Sequence, residues 1–153
     1  MKRIYLAGPL FSHAEQNWLR TAKAGIENMA ARRGHGVEVL WSFEFFPEAE
    51  LAALGVRRKE RIFSGCLEGL GRADILVALL DGPMVDDGTA FEIGWYYAKG
   101  LGPIFGVRTD FRNAGETPHS VVNCMVEVAC KRIFTSLEAL LEGLESFFPH
   151  SGP

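Results

Sequence analysis

The sequence predicts a three-layer α/β domain on a mainly parallel, five-stranded sheet, doubly wound in the flavodoxin-like order 2-1-3-4-5. Two observations predict it. Short apolar β runs alternate with stretches of helical composition along the whole chain, a pattern that gives right-handed β-α-β crossovers. The run "ADILVALLD", residues 73–81, is apolar almost without a break, as a parallel strand covered on both faces requires.

The elements follow in order. "RIYLAG" is a β run closed by Gly8 and Pro9, which end strands and open loops. From His13 to Arg33 the chain is rich in Ala, Glu, Lys and Leu before Gly34 and Gly36 stop it, so this stretch is a helix. "VEVL" is a second strand. The aromatic loop "WSFEFFPE" after it suits a base pocket, core packing or a subunit contact, and the acidic stretch up to Gly55 has no clear assignment. A second helix, from about Val56 to Arg72, leads into the third strand. Another, from about Thr89 to Lys99, stops at "GLGP"; "PIFGVR" is a fourth strand, and "IFT" near residue 133 a short fifth before a terminal helix. In the order 2-1-3-4-5, strands 1 and 3 are neighbours whose following helices leave on opposite faces, and a ligand crevice opens beyond their ends. The loops "GPLF" and "DGPMVDDG" then share that crevice.

Composition narrows the classes. Residues 1–153 fit one domain, large enough to bury about two-thirds of the surface its unfolded form exposes. With 48% hydrophobic and 23% charged residues the chain is too apolar to be disordered. Its net charge is −3 and its basic residues are scattered apart from Arg57, Arg58, Lys59 and Arg61, a solvated helix turn, so nucleic acid is not expected as a partner. No stretch reaches the ~18 apolar residues of a membrane span, and "MKRIYLAG" is a strand rather than a signal peptide, which together predict a cytoplasmic protein. Cys66, Cys124 and Cys130 are expected to be reduced thiols. His13, His35, His119 and His150 are far apart in sequence, so no metal and no cofactor is expected.

The stretch "DGPMVDDGTAFEIGWYYAKG", residues 81–100, sets Asp81, Asp86 and Asp87 ahead of Glu92, which stands in an apolar run. Two readings are open. Thr89-Ala90-Phe91-Glu92 matches a capping box, in which Thr89 caps a helix and Glu92 reaches back to the cap's backbone N–H. Alternatively, Glu92 near the positive end of the helix macrodipole is held ionised as a carboxylate nucleophile, with Asp86 as acid and base at a leaving group. Two carboxylates with separate roles are what glycosyl chemistry uses. Asp81, Asp86 and Asp87 also fit ordinary turn chemistry. Tyr5 is either a core aromatic or a donor that orients Glu92 across the crevice.

Three blocks, "KRIYLAGPLF", "ADILVALLDGPMVDDGTAFEIG" and "VNCM", together resemble the nucleoside 2-deoxyribosyltransferases. The most specific part is Asp86-x-Gly88-Thr89-x-x-Glu92-x-Gly94 after an apolar strand, combined with Tyr5-Leu6-Ala7-Gly8-Pro9. The resemblance implies that Glu92 attacks C1′ of a 2′-deoxynucleoside and forms a covalent 2-deoxyribosyl-enzyme, which a second free nucleobase intercepts with retention. Water in its place would give slow hydrolysis. It further implies that Tyr5 holds Glu92, that Asp86 meets the base, and that Asn123 and Met125 reach into a neighbouring subunit's site, making the protein a homo-oligomer. Gly8, Pro9 and Gly88 would border the ligand, and Phe11 would stack on the base. One position departs from the pattern: Cys66 stands where many members carry an Asp, which removes a second base-contacting carboxylate. "RTDFRN", residues 108–113, also recurs in relatives without an evident physical role.

Two alternatives remain open at this stage. An N-glycoside hydrolase of nucleoside 5′-monophosphates would share the fold and the glutamate, although Asp86 would repel a phosphate where that branch tends to place Ser. A non-catalytic nucleotide-binding α/β module would use Glu92 only as a cap.

Overall fold

The structure, a computed structural model, describes residues 1–148. Its strands are β1 (Lys2–Ala7), β2 (Val37–Trp41), β3 (Ile75–Leu79), β4 (Ile104–Val107) and β5 (Arg132–Phe134). Its helices are α1 (His13–Arg32), α2 (Glu48–Ala53), α3 (Arg58–Arg72), α4 (Asp87–Lys99), α5 (Cys124–Ala129) and α6 (Leu137–Glu145). All pairings are parallel and the sheet order is β2-β1-β3-β4-β5, as the sequence predicts. Every residue of β3 is buried, which accounts for its unbroken apolar run.

Side chains alternate across each strand, so one strand feeds two cores. Ile4 and Leu6 of β1 join Ile75, Val77 and Leu79 of β3 under α1 and α6. Tyr5 and Ala7 join Leu76, Ala78 and Leu80 against α3, α4 and α5. The helices that follow β1 and β3, α1 and α4, therefore lie on opposite faces, the arrangement that opens a crevice beyond the ends of these two strands. The same period-two alternation sends Tyr5 toward α4.

Local signals fix the helix ends. Ser12 and Glu15 form a reciprocal capping box at the start of α1, and Gly100, at φ 62°, ends α4 in the left-handed conformation that glycine adopts without a Cβ penalty. The acidic stretch without an assignment forms α2, whose first turn carries Glu48 and Glu50. The "VNCM" segment opens α5, with Asn123 as its N-cap. Of the aromatic stretch, Trp41 is buried at the end of β2 and stacks on the exposed Phe43, while Phe45 and Phe46 are partly buried against Gly69 and Gly65 of α3.

"RTDFRN" acquires a physical role. Arg108 is only 4% exposed, and its guanidinium donates to the carbonyls of Leu80, Gly82 and Arg112. In return Asp81 accepts from the backbone N–H of Thr109 (2.6 Å) and Asp110 (3.0 Å) and from the Thr109 hydroxyl. These bonds clasp the loop after β3 to the loop after β4.

Candidate active site

Tyr5 is fully buried in mid-strand, and its hydroxyl donates to Glu92 Oε1 at 2.6 Å, the length of a charge-assisted O–H···O bond. Glu92 is partly buried and lines a cavity of about 300 Å³ with Lys59, Ile62, Phe63, Cys66, Leu67, Gly88 and Phe91. The cavity walls come from α3 and α4. Phe63 and Phe91 meet at its side with their rings tilted by 49° and their centroids 5.8 Å apart, and both are about half exposed.

The capping-box reading of Glu92 does not hold. The N-cap of α4 is Asp86, whose Oδ2 accepts from the backbone N–H and the hydroxyl of Thr89, both at 2.8 Å. Asp is a strong capping residue and Asp86 has a non-helical backbone (φ −51°, ψ 135°), so the helix begins three residues earlier than Thr89 would have it and the Thr89 side chain is buried. Glu92 consequently lies in the second turn of α4.

That placement also corrects the expectation that the macrodipole keeps Glu92 ionised, since the dipole acts mainly within the first turn. Burial dominates and pushes the Glu92 carboxyl up to about 7; the Tyr5 hydroxyl opposes the rise and the nearby Asp86 charge adds to it. The Tyr5 hydroxyl is raised well above its ordinary range by burial and by the Glu92 charge, so it is a donor throughout the physiological range. Cys66 lies beside Tyr5 and Ser42, and burial followed by the Glu92 charge raises its thiol, which keeps it neutral.

The structure thus brings Tyr5, Asp86, Gly88 and Glu92 of the predicted set together. The other predicted residues do not line the cavity at Glu92 in their own chain. Pro9 is buried, and Gly8 is packed so closely that a Cβ would come within 2.9 Å of Leu19 and 3.1 Å of Leu79, a core requirement at the end of β1. Phe11 is 85% exposed, its backbone N–H held by Glu15, and it has no ring partner among the described residues. Asn123 caps α5 and donates to Glu116, while Met125 is exposed. Neither contributes to the cavity at Glu92 of its own chain. Sequence reasoning missed Ile62, Phe63, Leu67 and Phe91; the pairs 62/66 and 63/67, four apart on α3, were the available signal for one lining face. Among the described residues no cluster of three His, Cys, Asp or Glu side chains is arranged to hold a metal ion, and His150 lies outside them. Among the described residues no helix is long and apolar enough to cross a membrane.

Comparison with known proteins bears on this geometry. A conserved protein from Enterococcus faecalis V583 has a similar structure (TM-score 0.67, 26% identity, 97% of this chain and 99% of that one). So does a 2-deoxyribosyltransferase from Bacillus psychrosaccharolyticus (TM-score 0.67, 21% identity, 91% and 90% covered). A CMP N-glycosidase from Clostridium botulinum shares the fold at TM-score 0.55 and 16% identity, over 94% and 99% of the two chains. Curated proteins give no match. The family profile of nucleoside 2-deoxyribosyltransferase matches residues 4–125, which takes in Tyr5, Asp86, Glu92, Asn123 and Met125, and the chain belongs to that family.

Proposed function

We propose that this protein moves 2-deoxyribose between nucleobases through a covalent glycosyl-enzyme on Glu92. The observation that supports it is the 2.6 Å bond from buried Tyr5 to a carboxylate that lines a cavity and has no hydrogen-bonded cap to serve. Glu92 attacks C1′ on the face opposite the base, the C1′–N bond breaks, and the electron pair leaves with the base. Asp86, a carboxylate within electrostatic reach of Glu92, takes up a proton from solvent and passes it to the departing nitrogen. A second base then attacks C1′ on the face the first one left, Asp86 takes its proton, and Glu92 is released, so two inversions give net retention. Tyr5 steadies the charged form of Glu92 before attack and after release.

Asp86 favours nucleosides over 5′-monophosphates, because a carboxylate beside a phosphate repels it. Asn123 and Met125, exposed on the surface at α5, are proposed to complete the site of a neighbouring copy in a homo-oligomer. The whole activity is assigned to a single domain that works in the cytoplasm, without a metal or cofactor.

The test is to incubate the protein with a deoxynucleoside and a different free base. Exchange is expected, together with a 2-deoxyribosyl adduct on the peptide that contains Glu92. Glu92→Gln keeps the shape and the Tyr5 bond but cannot act as an anionic nucleophile, so exchange falls by roughly a thousandfold or more while the protein stays folded. Sugar release without exchange would replace transfer by hydrolysis, and full exchange by Glu92→Gln would end the covalent reading.

A further inference from the structure

Tyr5 owes its position to more than its strand. Its ring is contacted edge-on by Phe45, with centroids 6.1 Å apart and planes at 67°. Phe45 belongs to the loop after β2 and is lodged against α3 at Gly69, where a Cβ would come within 2.8 Å of Phe45 Cε2 and 3.0 Å of Tyr5 Cε2. The missing side chain at Gly69 therefore makes room for both rings at once. One turn earlier on α3, Gly65 makes room for Phe46, where a Cβ would come within 2.1 Å of the ring. Two glycines inside one helix cost about 1 kcal/mol each relative to Ala, so α3 gives up helix stability for this close approach.

The two notches are not equivalent. Phe46 is backed by the Arg61 guanidinium 4.4 Å above its ring, and Arg61 in turn pairs with Glu50 of α2, so that notch ties the loop to exposed structure. The Gly69 notch is the one whose contacts run from Phe45 to Tyr5 and from the Tyr5 hydroxyl to Glu92. We infer that Phe45 and Gly69 are positioning residues, which together set the Tyr5 ring at the depth from which its hydroxyl reaches Glu92. The assignment rests on the proposed role of Glu92, and it deepens that reading by carrying its orientation back to a loop and a helix that no residue motif marks.

The experiment follows the ionisation of Glu92 directly, by carboxyl ¹³C titration, alongside the exchange rate. Gly69→Ala forces the Phe45 and Tyr5 rings to shift; lengthening the Tyr5 bond removes an interaction that holds the Glu92 midpoint down, so the midpoint rises by roughly half a pH unit or more and exchange falls about tenfold. Gly65→Ala, with the tighter clash, lowers thermal stability but reaches Tyr5 only through Phe46 and its edge contact with Phe45, 6.0 Å between centroids, so it moves the midpoint by much less than Gly69→Ala does. Phe45→Leu removes the ring without a clash and moves the midpoint in the same direction as Gly69→Ala; it decides the matter if Gly69→Ala fails to fold. An unmoved Glu92 midpoint in Gly69→Ala and Phe45→Leu, or an equal movement in Gly65→Ala, overturns the inference. The titration reads Tyr5 placement whether or not base exchange occurs, so failure of exchange in the wild type would count against the proposed function and leave the positioning result to be judged by the midpoints.

Discussion

Asp81 and Glu92 bracket one loop, the first just past β3 and the second in α4, and the protein treats them in opposite ways. Asp81 is saturated: two backbone N–H groups and a hydroxyl from the loop after β4 donate to it, and buried Arg108 braces the carbonyls on either side of it. Glu92 receives one short bond, from Tyr5, and sits partly buried beside another acid. The first carboxylate is bound up in holding two loops together, whereas the second keeps acceptor capacity to spare, which the proposed function uses for attack. The two acids, eleven residues apart in one motif, differ in the number and kind of donors that converge on them, which the motif itself does not reveal.

The contrast can be broken first with pH. Because burial pushes the Glu92 carboxyl up to about 7 and only its ionised form is nucleophilic, kcat/KM for exchange should fall on acidification, by about fiftyfold between pH 7 and pH 5. Asp81→Ala should leave the midpoint of this profile in place. A flat profile from pH 5 to 8 would show that Glu92 is not the titrating nucleophile.

Stability gives the next largest effect, and with opposite signs. Asp81→Ala strands the N–H groups of Thr109 and Asp110 and should cost roughly 2–3 kcal/mol. For Glu92 the folded-state value lies above the unfolded one of 4.5, so its contribution to stability is fully present below 4.5 and is lost as the pH rises to about 7. Glu92→Gln relieves that loss and should stabilise the protein by about 1–2 kcal/mol at pH 8, with little change at pH 5. Urea unfolding of both variants at the two pH values checks the signs, and destabilisation by Glu92→Gln at pH 8 would contradict the raised carboxyl.

The smallest expected effect concerns Tyr5. Tyr5→Phe removes the bond that opposes the burial of charge on Glu92, so the midpoint of the rate profile should move above 7 and exchange at pH 8 should fall about tenfold. Stability should change by less than about 1 kcal/mol, because the ring and its contacts with Phe45 remain. A midpoint that moves down would mean that Tyr5 acts on Glu92 by some route other than this bond.

Much of the fold was legible because it follows from local periodicity. The unbroken run of β3 states its own burial, alternating elements give a parallel sheet with right-handed crossovers, and the observed order is the commonest one for five doubly wound strands. The short helices α2 and α5 were not assigned, since six residues hold fewer than two turns and show no apolar repeat. The cap of α4 was misplaced because both Asp86 and Thr89 are good capping residues, and the choice between them turned on which side chain the core could bury.

The sequence by itself determined the layered α/β class and the alternation of side chains along β1, because these depend on the chain's own period. Only the tertiary structure decided that Asp81 is clasped, that Phe45 lodges at Gly69, and that Glu92 ends up beside Tyr5 with its carboxyl near 7. Those outcomes are sums of hydrogen bonds and desolvation contributed by residues 28 and 87 positions away, and no local pattern encodes a sum over such distant neighbours.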